Sequence, residues 1–162
     1  MNATGVTMAR ACAKCGEADM KPGSATLELT RAGVTFVADV AAEVCPACNA
    51  NAVDYKTLKA FELTAARWLA TSGLHSSEAF KFMRKALGLK AQQLAALLGT
   101  TKETVSRWEN GKHAIDRPAF AVLATLVVDT SKGRRTTLRK RLETMSTEPA
   151  PPPGPVRLEV AA

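Results

Sequence analysis

The stretch KAQQLAALLGTTKETVSRWENGK, residues 90–112, decides the rear half of this chain. Leu94, Ala95 and Leu98 fall on one face of a short helix, and Gly99 stops it. Thr100-Thr101-Lys102-Glu103 then carries an S/T-x-x-E capping box, which opens a second helix running to about Glu109. Asn110-Gly111 ends that helix. Upstream, Ser76-Ser77 caps a helix in which Phe80, Met83 and Leu87 share a face and Gly88 is the stop. Downstream, Asp116-Arg117-Pro118 opens a helix carrying Phe120, Leu123, Leu126 and Val127, with proline tolerated in the first turn. Two short helices joined by a tight turn and bracketed by supporting helices form a helix-turn-helix arrangement.

The front of the chain has a different logic. Cys12-Ala-Lys-Cys15 and Cys45-Pro-Ala-Cys48 contain all four cysteines, with a spacer of 29 residues between the pairs. Two CxxC turns present four thiolates to one tetrahedral Zn²⁺, so Cys12, Cys15, Cys45 and Cys48 are the expected ligands of one structural zinc per chain. Gly16 and Asn49 follow the pairs and tolerate positive φ, which turns backbone N–H groups toward the sulfurs. A secreted disulfide framework fits less well, because MNATGVTMARA at the start lacks the apolar core of a signal peptide. A thiol-redox enzyme needs a CxxC that opens a helix in a βαβ unit, and neither pair sits in that context. Between the pairs, Thr26-Leu27-Glu28-Leu29-Thr30 and Val34, Phe36, Ala38, Val40 alternate around a turn at Arg31-Ala32-Gly33, a hairpin signal. From Asp54 to about Thr71 the period becomes helical, with Leu58, Phe61, Ala65 and Trp68 on one face, and Ser72-Gly73 breaks it.

Charge points to where a partner binds. Residues 1–60 carry six basic and six acidic side chains, residues 61–145 fifteen and seven, and residues 146–162 one and two. The net +7 of the chain therefore resides in its middle and rear, which suits a polyanion contacted there. An aromatic content of 5% argues against a stacking platform for single strands. No stretch approaches the roughly 18 apolar residues of a membrane span, so the chain reads as cytoplasmic. The tail Pro149-Ala-Pro-Pro-Pro-Gly-Pro155 cannot build a packed core, and Met8 is an alternative start.

The pattern Leu94-Ala95-x-x-Leu98-Gly99, followed by Val105-Ser106-Arg107-Trp108-Glu109-x-Gly111-Lys112, resembles the Cro/C1-type (Xre) helix-turn-helix. The Cys₄ unit ending in Glu43-Val44-Cys45-Pro46-Ala47-Cys48 resembles the YgiT-type zinc finger. Together, over roughly residues 12–130, they resemble the MqsA-family antitoxins, whose partner toxins are ribonucleases. The expected fold class is α+β: a small N-terminal β-hairpin zinc-binding domain plus an all-α Cro/C1-type helix-turn-helix domain. The expected boundaries are a disordered N-terminus 1–11, a zinc unit 12–52, a connecting helix 53–75, a five-helix DNA-binding domain 76–145 ending in a basic helix, and a disordered tail 146–162.

What the resemblance implies for the site can be placed residue by residue. The helix that ends at Glu109 lies in the major groove, with Val105 and Trp108 turned into the core. Lys102, Glu103, Thr104, Ser106 and Arg107 then face outward. Arg107 is the strongest base reader, since its fork can bond O6 and N7 of one guanine. Glu103 can accept from a cytosine amino group, although the capping box offers it a local role, which the reading favours. Lys90, Thr101, Lys102, Asn110 and Lys112 suit phosphates, which set register without reading sequence. Two positions depart from the family: Lys90-Ala91 stands where Thr-Gln usually opens the first helix of the motif, and Glu103 where MqsA-type proteins have Asn. The implied protein is no enzyme. It is a homodimeric repressor of double-stranded operator DNA with palindromic half-sites, and its zinc unit docks a toxin; the alternative is a stand-alone zinc-containing transcription factor. His75 and His113 are not needed as ligands, and the run from Arg134 to Arg141 suits either a solvated face, dimer packing or phosphate contact.

Overall fold

The computed structural model describes residues 11–131 and 151–160. Its front is a hairpin of β1 (Lys21–Arg31) and β2 (Val34–Val44), paired antiparallel without a break from Lys21↔Val44 to Arg31↔Val34. The connecting pair Ala32 and Gly33 has φ of 52° and 73°, the double left-handed conformation that lets a two-residue turn follow the twist of its strands. Alternation sorts the two faces. Val34, Phe36, Ala38 and Val40 are buried on one, opposite Leu29, Leu27 and Ala25. The other face is polar: the Thr26 hydroxyl donates to Asp39 at 2.6 Å, and the Thr30 and Thr35 hydroxyls lie 3.0 Å apart. Both strands run further toward the cysteines than the alternation alone predicts. Gly23 makes this possible, because a Cβ there would meet Val44 Cγ2 at 2.8 Å. A short β3 (Asn51–Ala52) pairs with Glu43 and Val44 on the far side of β2.

Among the described residues five helices follow: α1 (Tyr55–Ser72), α2 (Ser77–Ala86), α3 (Ala91–Leu97), α4 (Lys102–Glu109) and α5 (Arg117–Thr130). Asp54 caps α1 by accepting from the N–H groups of Lys56 and Thr57, and Gly73 at φ 81° ends it. Ser76 caps α2 and Asp116 caps α5, with Pro118 in the first turn. The buried stripe of α1 is Phe61, Ala65, Ala66, Leu69 and Ala70. The expected stripe was set off-centre: Leu58 is exposed, and Trp68 is half-buried at the rim with its ring edge-on to Phe36 at 5.5 Å. Ala65 and Ala66 at the centre let the helix approach its neighbours closely, a signal weaker in sequence than the large residues around it.

One apolar cluster joins hairpin and helices. It runs from Val34, Phe36, Ala38 and Val40 through Phe61 and Leu69 to Phe80, Met83, Leu94, Val105, Phe120, Leu123 and Val127. Phe80 anchors the rear half, edge-on to Trp108 at 5.9 Å and 6.1 Å from Phe120. Each such side chain contributes about 1.5–3 kcal/mol by leaving water. The cluster crosses both expected boundaries, at 52/53 and at 75/76.

The tail departs from expectation. Val156–Arg157 form β4, parallel to β2 in the register Phe36↔Val156 and Val37↔Arg157, so the tail is not wholly without order. Proline content argues for disorder over 146–162, whereas Val156, Leu158 and Val160 alternate with Arg157 and Glu159 as a strand does. The basic run 134–141 with the fifth helix expected for the rear domain, and the Met8 start, lie outside the described residues. No helix among the described residues is long and apolar enough to cross a membrane.

Candidate metal centre and candidate nucleic-acid surface

The open end of the hairpin gathers the cysteines. The Sγ atoms of Cys12, Cys15, Cys45 and Cys48 all lie within 4.8 Å of one another. The shortest approaches cross between the two pairs, Cys12 to Cys48 at 3.7 Å and Cys15 to Cys45 at 3.6 Å. A tetrahedron of thiolates at a Zn–S distance of about 2.3 Å has edges close to these lengths. All four thiols are free.

The two loops holding them are built alike. Gly16 N–H donates to Cys12 O at 2.8 Å and Asn49 N–H to Cys45 O at 2.9 Å, each donating residue in the left-handed region at φ 70° and 56°. Cys12 N–H donates to Ala18 O at 2.9 Å and Cys45 N–H to Ala50 O at 2.8 Å, which closes each loop. Backbone N–H groups thereby reach the sulfurs. Those of Cys15 and Lys14 lower the Cys12 thiol to about 6. At Cys48 the Ala50 N–H pulls downward, but burial and the three neighbouring thiols prevail and push it up to about 12. Crowded thiols thus resist full ionisation together, and a divalent cation among them removes that resistance. The four cysteines can hold one metal ion, and an all-thiolate tetrahedral set suits zinc.

The second candidate surface is the exposed side of α4. Thr101 caps it, its hydroxyl accepting from Thr104 N–H at 3.2 Å and contacting the Thr104 hydroxyl at 3.0 Å. The cap therefore lies one residue later than the predicted box. Thr104 occupies the third helical position, and Glu103 stands exposed in the first turn with no capping bond. The reciprocal half of a box occurs instead at α3, where Gln93 Oε1 accepts from Lys90 N–H at 2.8 Å. Val105 and Trp108 point inward as expected. Lys102, Glu103, Ser106, Arg107, Asn110 and Lys112 line one shallow depression. The depression does not include Lys90, Thr101 or Thr104; the first two are exposed and Thr104 is half-buried at the cap. The Asn110 side chain bonds locally, donating to Ser106 O at 2.8 Å and to its hydroxyl at 3.3 Å.

Sequence reasoning missed what holds α4 in place. Arg84 on α2 is buried and grips Glu109 at the end of α4, with Nε donating to Oε1 at 2.5 Å and Nη2 to Oε2 at 2.9 Å. Its Nη1 donates to Leu89 O at 2.6 Å, which ties in the loop before α3. The fork fits a carboxylate bidentately, and every polar atom of this buried pair is needed to offset its desolvation. The two residues are 25 apart, and each alone reads as a surface charge. The signal available was Glu109 itself, an acidic residue at a helix C-terminus, where the macrodipole disfavours it unless a cation stands nearby.

No curated protein matches the chain. A family model described as the antitoxin component of a bacterial toxin–antitoxin system, MqsA, matches residues 10–130, which takes in the cysteine cluster, the hairpin and all five helices. By that match this chain belongs to the MqsA antitoxin family.

Proposed function

We propose that this antitoxin is a cytoplasmic, homodimeric autorepressor that reads double-stranded operator DNA through α4 and neutralises a ribonuclease-type toxin through its Cys₄ unit. The division follows the two candidate surfaces: a structural zinc unit over 12–52, the α1 connector, and a rear helix-turn-helix unit. The observation that carries the DNA reading is the exposed, net basic face of α4, set on a buried frame by the Arg84–Glu109 pair and by Trp108. A reading helix must hold its side chains steady against base edges.

In this reading Arg107 bonds O6 and N7 of a guanine, a contact worth about 1–3 kcal/mol of discrimination. Glu103, relieved of capping, accepts from a cytosine amino group. Ser106 and Thr104 stand at the base edges beside them. Lys90, Thr101, Lys102, Asn110 and Lys112 meet phosphates and set the register. In a dimer, two such helices enter successive major grooves about 34 Å apart. Zn²⁺, one per chain, supplies cohesion to the cysteine loops and no chemistry.

Arg107→Ala tests the base-reading role. Operator preference should disappear while salt-sensitive binding to random duplex persists. An equal loss on every sequence would make Arg107 a phosphate contact instead. Co-purification from the native host tests the toxin role, where a stoichiometric small partner should be lost when Cys45 and Cys48 become Ser. Recovery of the homodimer alone would favour a stand-alone regulator.

A further inference from the structure

The sheet has one side that the hairpin leaves bare. β1 covers β2 along its whole length, whereas on the opposite side β3 pairs only with Glu43 and Val44 and β4 only with Phe36 and Val37. Among the described residues, positions 38–42 make no ladder pairing on that side. An open edge is a template for another strand.

The chain's own C-terminal segment sits there. Leu158 N–H donates to Val37 O at 2.6 Å, extending the two-residue ladder of β4. Val156, Leu158 and Val160 pack partly buried against the core, while Arg157 and Glu159 face solvent. The ion pair of Arg157 with Asp39 at 3.5 Å is highly exposed at both ends and so screened. Recognition thus rests on main-chain bonds and alternate apolar side chains, the mode by which sheets accept extended peptides. The contact is short: natural strands average about five to six residues. Space also remains beside it, in a groove of about 450 Å³ lined by Val37, Ala38, Asp39 and the segment itself.

We propose that the bare side of β2 is a docking site for an extended peptide strand with apolar residues at alternate positions, running parallel to β2, and that Val156–Val160 is its tethered resident. An outside strand of the same pattern competes with the tail for Val37 and the ground beyond it. The proposal does not rest on the antitoxin or DNA readings, since it uses neither the cysteines nor α4, although β2 lies within the unit proposed to meet the toxin.

The test uses the full chain and a labelled peptide, PGPVRLEVAA, which copies residues 153–162. Leu158→Pro removes the N–H that Val37 O accepts and the partly buried Leu158 contact, and should free the tail while the fully buried residues keep their places. A tethered strand acts at an effective concentration on the order of mM, so the peptide should bind the variant at least about tenfold more tightly than wild type. A scrambled peptide should bind neither. Equal affinity for both proteins, or binding to neither, overturns the proposal. Amide exchange on the wild type gives a second reading that needs no variant. Leu158 N–H should be protected independently of protein concentration. Exchange at the rate of an unstructured chain overturns the proposal, and protection that rises with concentration overturns the tether by assigning the strand to a second copy.

Discussion

The two ends of this molecule are held by opposite means. At the cysteine end, order is local: two loops, each closed by its own backbone hydrogen bonds, meet at four sulfurs, and among their residues only Cys12 and Cys45 are buried. At the α4 end, order is distant: Trp108 meets Phe80 and Glu109 is held by Arg84, side chains more than twenty residues away, and Val105 is buried beside them in the same cluster. Loops too small to make a core need a bound ion, whereas a short helix of eight residues needs tertiary partners. The difference predicts that the ends fail separately.

Metal removal should produce the largest effect. Free energies on the order of 10 kcal/mol accompany zinc binding at comparable sites. Chelation, or Cys45→Ser, should open the amides of both cysteine loops to exchange while those of α2 and α5 stay protected. Simultaneous melting of the helices would break the contrast. Next comes Arg84→Met, which strands Glu109 in the core and should cost about 3–5 kcal/mol in urea unfolding. Adding Glu109→Leu should recover most of that loss, and failure to recover would mean that the pair supports more than its own charges. Thr101→Ala removes the α4 cap and should cost about 0.5–2 kcal/mol, with no change in metal content.

The smallest effect is a pH dependence confined to the helical end. His75 lies against Phe120 with ring centroids 4.4 Å apart, and burial together with the Arg117 charge lowers its pKa from 6.5. The folded state therefore favours neutral His75 while the unfolded chain protonates near its ordinary value. Stability should be full above 6.5 and decline as pH falls through it. His75→Phe should flatten that portion of the thermal-unfolding profile. An unchanged profile would show that the exposed part of the ring is solvated well enough to carry its charge.

Much of this architecture was legible in the sequence because it is encoded locally. The CxxC turns, the Gly16 and Asn49 positions, the hairpin alternation, and the stops at Gly73, Gly88, Gly99 and Gly111 each state their conformation within a few residues. What escaped was relational. The S/T-x-x-E pattern points to Thr100 as the cap, whereas Thr101 takes that place in the fold, with Val105 and Trp108 turned into the core. Arg84 and Glu109 identify each other only once α2 and α4 are packed. The V-x-L-x-V alternation of the tail was legible, yet a strand of two residues means little until an unpaired edge waits for it.

The unbroken cluster from Phe36 to Val127 packs the hairpin onto the helices that hold α4. A partner that leaves this packing intact would act on α4 by its bulk and not through a swing of parts. Whatever docks on the hairpin is then carried on the same packed body as α4. Its consequence for anything α4 touches is decided by whether the two passengers collide. Such a device signals by occupancy, in the way a key left in a lock keeps a second key out.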